Sequence, residues 1–325
     1  MKLNSSAIAG HDTAVLPPLR GVTWGLLGVL AFSLTVPLTR VAVGAGNLSP
    51  LFVGSARAVI AALVAGAALM IARSPRPRGR QWGSIAIVAI GAVVGFPLLT
   101  SFALTQTPAA HGAVVIALLP AATAVVSVVR TGARPSAAFW WAAAAGVVAA
   151  VAFAAVSAGG VGALQPADGL LFGAVLVCAL AYAEGGVVSR DLGAWQTISW
   201  ALVIAAPLMA ALSVGAILAQ PPKGTAVEWL SFAYLGVVSM FLGFVAWYRG
   251  LALGPIAQIS QVQLVQPVLS IGWAALLLRE EITILTLVGG LAVVACALLA
   301  VRTRGPAVRR RSRASSATGR RVPSP

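Results

Sequence analysis

The chain has 325 residues, of which 59% are hydrophobic and only 9% are charged. Soluble domains carry about 25% charged residues, so this composition excludes a water-soluble globular protein. Residues 21–39, 81–129, 135–167 and 192–222 contain no Asp, Glu, Lys or Arg. A membrane crossing takes about 20 apolar residues, and backbone groups in lipid must bond within their own helix. The sequence therefore predicts an all-α integral membrane protein.

Ten hydrophobic segments follow in chain order, joined by short connections that leave no room for a separate domain. They lie at 21–42, 50–72, 82–104, 108–130, 136–157, 168–189, 195–219, 227–249, 255–278 and 283–302. Lys and Arg accumulate on cytoplasmic loops. With the N-terminus inside, only Lys223 and Arg279 fall on outer loops. We therefore predict a multi-pass protein of the cell's inner membrane with both termini in the cytoplasm.

The net charge of +15 does not indicate nucleic-acid binding, because eight of the 22 basic residues lie between Arg302 and Arg321, beside the last segment. We predict cytoplasmic tails at 1–20 and 303–325, the second disordered. The two cysteines lie in hydrophobic segments and the two histidines are too few for a zinc cluster. No cofactor or metal is expected.

The two halves of the chain repeat each other at an offset of about 147 residues. Matching residues occur in the same order: Trp82, Pro108 and Pro120 match Trp229, Pro255 and Pro267. The predicted repeats, 21–157 and 168–302, contain five spans each, and an odd number of spans inserts the second copy upside down. Inverted repeats of this kind are typical of secondary transporters, whose substrate site lies near the midplane between the repeats.

The end of each half carries a loose motif. The second half reads LVQPVLSIGWAALLLREEITILTLVGGLAVV, with Pro267, Glu280-Glu281-Ile282-Thr283 and Gly289-Gly290. The first half carries Pro120, Pro135-Ser136 and Gly146, with Ala133 where a glutamate would stand. This pattern resembles the EamA-type members of the drug/metabolite transporter superfamily over residues 20–302. The resemblance implies ten spans in two five-helix halves, and export of small metabolites, amino acids or drugs driven by a proton or substrate gradient.

Two charged residues inside predicted spans are candidates for function, because charges within the membrane are costly. Glu184 lies six residues before Arg190, or about 9 Å from the cytoplasmic end. It is suited to proton coupling or cation binding, and a structural bond to a neighbouring helix is an equal alternative. Arg57 could bind a substrate carboxylate as a bidentate fork. The favoured interpretation of Arg57 is helix packing in which the guanidinium caps backbone carbonyls.

Polar side chains also concentrate on the ninth segment, which carries Gln258, Gln261, Gln263 and Gln266. Their spread around the helix predicts that it lines a cavity, with bonding between helices as the alternative. Pro267 should also free the carbonyl of Gln263 from its helical bond.

Four further features receive interpretations. Tyr182 is a cavity candidate because it lies two residues before Glu184. His111 lies near the outer face, at the position that corresponds to Gln258, and is either an interfacial residue or a coupling group. Trp247 and Tyr248 are interpreted as interfacial anchors. Glycine pairs four residues apart are interpreted as helix-packing sites: Gly21 and Gly25, Gly91 and Gly95, Gly169 and Gly173.

Three classes of function remain. A secondary transporter of a neutral or zwitterionic small molecule, such as an amino acid, fits the amide-rich ninth segment. Multidrug efflux and a passive channel are alternatives. An intramembrane enzyme is disfavoured because no paired nucleophile and base is evident. The protein could be a monomer or a homodimer.

Overall fold

The structure is a computed structural model that describes residues 19–132, 135–157, 165–253, 259 and 262–303. Over these residues all regular structure is helical, and nine helices are long and apolar enough to cross a membrane. A shorter apolar helix, Val262–Leu278, lies where the ninth segment was predicted, so the all-α ten-helix prediction is confirmed. In chain order, spans 1 to 10 are Arg20–Gly44, Pro50–Ile71, Gln81–Ala103, Ala109–Arg130, Ala137–Ser157, Pro166–Leu192, Ala194–Ala219, Ala226–Leu253, Val262–Leu278 and Ile284–Thr303.

Span 1 is broken at Leu34 into two helices, Leu19–Ser33 and Thr35–Gly44. The predicted span at 21–42 is confirmed as Arg20–Gly44, and the interruption within it was not predicted. Pro37 explains the break, because a proline removes its own N–H and its ring clashes with the carbonyl four residues earlier. That carbonyl belongs to Ser33, and it accepts a hydrogen bond of 2.7 Å from the Ser270 hydroxyl of span 9.

Spans 4 and 9 are interrupted at corresponding positions. Span 4 consists of Ala109–Ile116 and Leu119–Thr131, and span 9 changes from a 3₁₀ turn at Val262–Val265 to an α-helix at Gln266–Leu278. Pro120 and Pro267 stand at the start of the second α-helical part in each case. Discontinuous helices of this kind place free backbone groups at the middle of a bundle.

Spans 3 and 8 each contain a π-helical segment, at Ala89–Gly95 and Leu235–Leu242. The offset of 147 residues places Ala89 on Gly236, so the two segments occupy corresponding positions. The flanking α-helices are Gln81–Val88 and Phe96–Ala103 in span 3, Ala226–Tyr234 and Gly243–Leu253 in span 8. π-Helical turns are rare and are found mostly at functional sites.

The spans of the first half pack against the spans of the second half. Span 1 packs on span 8, span 2 on span 7, span 3 on span 6, span 4 on span 9 and span 5 on span 10. The two halves are therefore interlocked, and the centre of the bundle lies between them.

Glycines permit the closest of these helix contacts. A Cβ on Gly250 of span 8 would lie 2.8 Å from the backbone nitrogen of Gly25 in span 1. A Cβ on Gly95 would lie 2.9 Å from the side chain of Val177 in span 6. Close packing at two of the predicted glycine pairs is thus present. Gly169 has open space beside it, so the third pair does not form a tight contact.

Trp247 and Tyr248 are buried side chains of the core, with 1% and 0% exposure. Their interpretation as interfacial anchors is wrong. Span 1 approaches Trp247 closely at Gly28, and span 6 covers Tyr248 at Gly185. The Tyr248 hydroxyl donates to the carbonyl of Ala181 in span 6 at 3.2 Å.

Candidate functional site

A narrow cavity lies at the centre of the bundle, between the two halves. Its walls are side chains of spans 1, 2, 3, 4, 6, 8 and 9. Eight of the lining residues form four pairs that are 147 or 148 residues apart, and so occupy corresponding positions of the repeat. These pairs are Ala92 and Ser239, Leu119 and Gln266, Thr35 and Tyr182, Phe96 and Phe244.

The two halves contribute unequal chemistry to this cavity. Ala92 and Leu119 of the first half are apolar, whereas their counterparts Ser239 and Gln266 carry a hydroxyl and an amide. The cavity is therefore roughly symmetric in shape and asymmetric in hydrogen-bonding capacity. The Ser239 hydroxyl lies 2.7 Å from the Thr35 hydroxyl, with which it forms a hydrogen bond across the two halves.

Arg57 of span 2 is 1% exposed and lines the cavity. Its Nη1 donates to the Thr39 hydroxyl and its Nη2 to the Thr100 hydroxyl, both at 3.3 Å. Its Nε has no hydrogen-bond partner in the described part of the chain. Arg57 therefore joins span 2 to spans 1 and 3, as in the helix-packing interpretation, and it does so through hydroxyl groups of Thr39 and Thr100 instead of backbone carbonyls.

A smaller cavity adjoins the first and shares Gln266 with it. Gln263 and Gln266 both line this space, with 2% and 7% exposure. Within the described residues, the Oε1 of Gln266 has no hydrogen-bond partner. The amide of Gln263 lies beside the Tyr182 phenol without a hydrogen bond of ordinary geometry. The structure therefore places two of the four predicted glutamines at the cavities, while Gln258 and Gln261 lie outside the described residues.

Aromatic rings form part of the wall of the central cavity. Phe32 stacks on Tyr182 with 6.3 Å between ring centroids, and it meets Phe244 edge-on at 4.9 Å. The side chain of Tyr182 is 3% exposed and lies beside Trp247 at 5.5 Å. These rings form an aromatic wall that offers apolar contact to a ligand.

Glu184 does not line the central cavity. It lies toward the C-terminal end of span 6, where its carboxylate pairs with the Arg130 side chain of span 4 and accepts a 3.0 Å hydrogen bond from the Ser84 hydroxyl of span 3. Glu184 is 5% exposed, whereas the Arg130 side chain is 58% exposed. The pair therefore joins three spans at the edge of the bundle. The sequence could not indicate Arg130 as the partner, because the two residues are 54 positions apart.

His111 also lies away from the cavity. Its Nε2 is 2.7 Å from a carboxylate oxygen of Asp168, and its ring packs against Phe153 with 5.1 Å between centroids. Asp168 stands in the first turn of span 6 and also accepts from the backbone N–H of Gln165 at 3.0 Å. His111 therefore links spans 4, 5 and 6 near the N-terminal ends of spans 4 and 6.

Glu280 is a structural residue whose role the sequence analysis did not assign. Its two carboxylate oxygens accept hydrogen bonds of 2.8 Å from the backbone N–H groups of Ala109 and Ala110. These are the first two N–H groups of span 4, which have no partner within their own helix. Glu280 is the glutamate of the second-half motif, so the motif ties the loop after span 9 to the start of span 4.

We expect Glu280→Ala to lower the free energy of unfolding by about 1–2 kcal/mol, the usual cost of a lost N-terminal cap. The measurement is thermal unfolding of the purified protein in detergent. Glu281→Ala is the matched control, because its side chain is exposed. Equal unfolding temperatures for the two variants would contradict the capping role.

Within the described ranges, no group of three or more His, Cys, Asp or Glu side chains comes together as a metal site. The two cysteines are free thiols, Cys178 buried at the central cavity and Cys296 partly buried in span 10. The site therefore consists of an aromatic wall and five polar side chains: Arg57, Thr35, Ser239, Gln263 and Gln266.

A bundle of apolar spans with a polar cavity between two interlocked halves defines a membrane transport protein. The sequence matches the EamA-like transporter family twice, at residues 19–155 and 165–302. It is 43% identical over 281 residues to the uncharacterized transporter YdeK of Bacillus subtilis (strain 168), covering 86% of this chain and 96% of that protein. The chain belongs to the EamA-like transporter family and is a multi-pass membrane transporter.

A solved crystal structure of a protein shares the fold. The two chains are 21% identical with a TM-score of 0.59, and the alignment covers 88% of this chain and 98% of that one. At this identity the likeness concerns the fold alone.

Proposed function

We propose that the protein exports a small neutral or zwitterionic metabolite, such as an amino acid, by alternating access between its two halves. The observation that carries the proposal is the central cavity, which is lined by corresponding positions of both halves and holds polar groups at the core of the bundle. Because the cavity is narrow, substrate must enter from a wider conformation. Rocking of one half against the other would open the cavity to one side at a time.

The proposed setting is the cytoplasmic membrane, with two repeats of inverted topology at 21–157 and 168–302 and both termini on the cytoplasmic side. The excess of Lys and Arg on the segments assigned to the cytoplasm supports this orientation. In this orientation Arg57 lies in the outer half of the membrane and the Arg130–Glu184 pair lies near the cytoplasmic face.

The test is transport by the purified protein in proteoliposomes. We expect accumulation of at least one compound from a panel of amino acids and related zwitterions, with protein-free liposomes as the control. Failure of every small solute to move would contradict the transporter proposal. A fast flux of labelled substrate that is unchanged when the same substrate concentration is present on both sides of the membrane would favour a channel.

For the driving force we propose that protons are exchanged at Glu184. Protonation would remove the charge that holds Arg130 and so release the contact between spans 4 and 6 at the cytoplasmic end. Glu184 and Arg130 form an ion pair at this end of the bundle.

We expect Glu184→Gln to abolish acceleration of transport by an imposed pH gradient, while exchange of substrate for substrate persists. Asp191→Asn is the control, because Asp191 is an exposed carboxylate on the same helix. Gradient-driven transport at the wild-type rate in Glu184→Gln would assign the pair a structural role only.

Multidrug efflux is the second candidate, and the aromatic wall of Phe32, Tyr182 and Phe244 favours it. The same proteoliposomes distinguish the two functions. Transport of chemically unrelated aromatic cations at comparable rates would favour multidrug efflux, and selectivity among the zwitterions would favour the metabolite.

A further inference from the structure

Arg57 carries a buried positive charge without a counterion. Its side chain is 1% exposed, and both of its hydrogen bonds go to neutral hydroxyl groups at 3.3 Å. The ion pairs of the described residues are His111 with Asp168 and Arg130 with Glu184. An unpaired buried charge is strongly unfavourable, and arginine can bind a carboxylate with two parallel hydrogen bonds. Among the described residues, the Nε–H of Arg57 has no hydrogen-bond acceptor.

The protein's own carboxylates are bound to other groups. Among the described residues, each carboxylate that is buried or half-buried has a partner away from Arg57: Asp168 with His111, Glu184 with Arg130, Glu228 with Asn47 and Thr225, Glu280 with the start of span 4. The remaining described carboxylates, Asp191 and Glu281, are exposed. None of the described carboxylates is therefore placed to neutralise Arg57, and a carboxylate on a molecule that enters the cavity would supply a counterion.

The position of Arg57 in the repeat strengthens this inference. The corresponding positions in the second half are occupied by the apolar residues Ile204 and Ala205. The charge is thus a feature of one half alone, like the polar groups of Ser239 and Gln266. If the only role of Arg57 were to join helices, the corresponding position of the second half, which packs in the same bundle, would be expected to carry a similar charge.

We propose that Arg57 binds the carboxylate of the transported molecule, which makes a carboxylate the required group of the substrate. The proposal rests on the proposed transport function and specifies its substrate class. The apolar body of the substrate packs against Phe32, Tyr182 and Phe244. The free Oε1 of Gln266 accepts a hydrogen bond from a donor on the substrate, such as an ammonium group.

Loading of a carboxylate would also favour closure of the cavity. In the empty protein, closure encloses the Arg57 charge alone, whereas in the loaded protein it encloses a charge-neutral pair. The protein would therefore pass through the closed conformation more readily with substrate than without it, as productive transport requires.

The test compares apolar amino acids with their primary amides, for example phenylalanine with phenylalaninamide. The two compounds share the apolar body and the amino group and differ at the carboxylate. We measure thermal stabilisation of the purified protein in detergent and flux in proteoliposomes, corrected for protein-free liposomes. The acid is expected to be effective at concentrations at least tenfold lower than the amide. Equal effects of acid and amide on the wild-type protein would overturn the proposal, and this comparison needs no variant.

Variants at Arg57 supply the second part of the test. Arg57→Gln is expected to remove the advantage of the acid over the amide, and Arg57→Lys to retain part of it. Arg249→Gln is the control, because Arg249 is exposed at the end of span 8 and lies outside the cavity. An unchanged preference for the acid in Arg57→Gln would overturn the proposal.

The outcomes separate this inference from the proposed function. Stabilisation by acids in an Arg57-dependent way without flux would support the binding site and reject transport. Flux restricted to compounds without a carboxylate would support transport and reject the binding site. Absence of stabilisation and of flux with every compound, acid or amide, would reject both.

Discussion

Gly91→Ala is expected to destabilise the folded protein by about 1–3 kcal/mol, the usual cost of inserting extra atoms into a packed core. Gly91 lies in the π-helical segment of span 3, which packs directly on span 6. A Cβ at this position would overlap with the carbonyl oxygen of Val177 and lie 2.9 Å from the Cβ of Ala181. These neighbours are backbone and a short side chain, so relief requires the two spans to move apart.

Thermal unfolding in detergent measures this effect, with Gly83→Ala as the matched control. Gly83 lies in the same span and has open space beside it. Alanine at position 83 should leave the free energy of unfolding of the protein unchanged or raise it slightly, because alanine favours a helix more than glycine does. If Gly91→Ala and Gly83→Ala unfold at the same temperature, the close contact between spans 3 and 6 is absent from the protein.

The double substitution Ser239→Ala with Gln266→Leu is expected to reduce the rate of transport at subsaturating substrate at least tenfold. It gives the second half the apolar side chains that Ala92 and Leu119 already give the first half. Gln266→Leu removes the proposed hydrogen bond to a charged substrate group, which costs about 1.5–3 kcal/mol, and a tenfold change corresponds to about 1.4 kcal/mol. Ser239→Ala removes the 2.7 Å hydrogen bond with the Thr35 hydroxyl in the cavity wall.

Initial rates in proteoliposomes over a range of substrate concentrations measure this loss. The control is Val268→Ala, which alters the same helix at a side chain that is 59% exposed. A double variant with wild-type rates would mean that the polar groups of the second half do not contact substrate. Each single variant should fall between the wild type and the double variant.

Much of the fold could be predicted from the sequence, because a membrane helix is defined by local composition. The uncharged ranges and the offset of 147 residues indicated ten spans in two halves, and Pro267 indicated the interruption beside Gln263. The break at Leu34 was missed although Pro37 was its signal. The burial of Trp247 and Tyr248 was not predicted, because the sequence near the end of a helix does not show which neighbouring helix covers these side chains.

The candidate site could be predicted only in part. Side chains that are costly in lipid or unusual for a span, such as Arg57 and Gln266, are recognisable one at a time, and both lie at the cavity. Glu184 was recognised by the same criterion and lies elsewhere, because its location depends on Arg130 and Ser84, which are distant in the chain. Partners of this kind follow from the packing of spans, which local sequence patterns do not specify.

The central claim is that the cavity between the two halves opens alternately to the two sides of the membrane. Cys178 tests it most directly, because its thiol lines the cavity near the middle of span 6 and is buried in the present conformation. In a Cys296→Ala background, the measurement is the rate of Cys178 labelling by a membrane-impermeant thiol reagent. The reagent is applied to right-side-out and to inside-out vesicles, with and without transported substrate. We predict labelling from both sides that substrate slows. Labelling from one side only, or labelling that substrate does not affect, would contradict alternating access at this cavity.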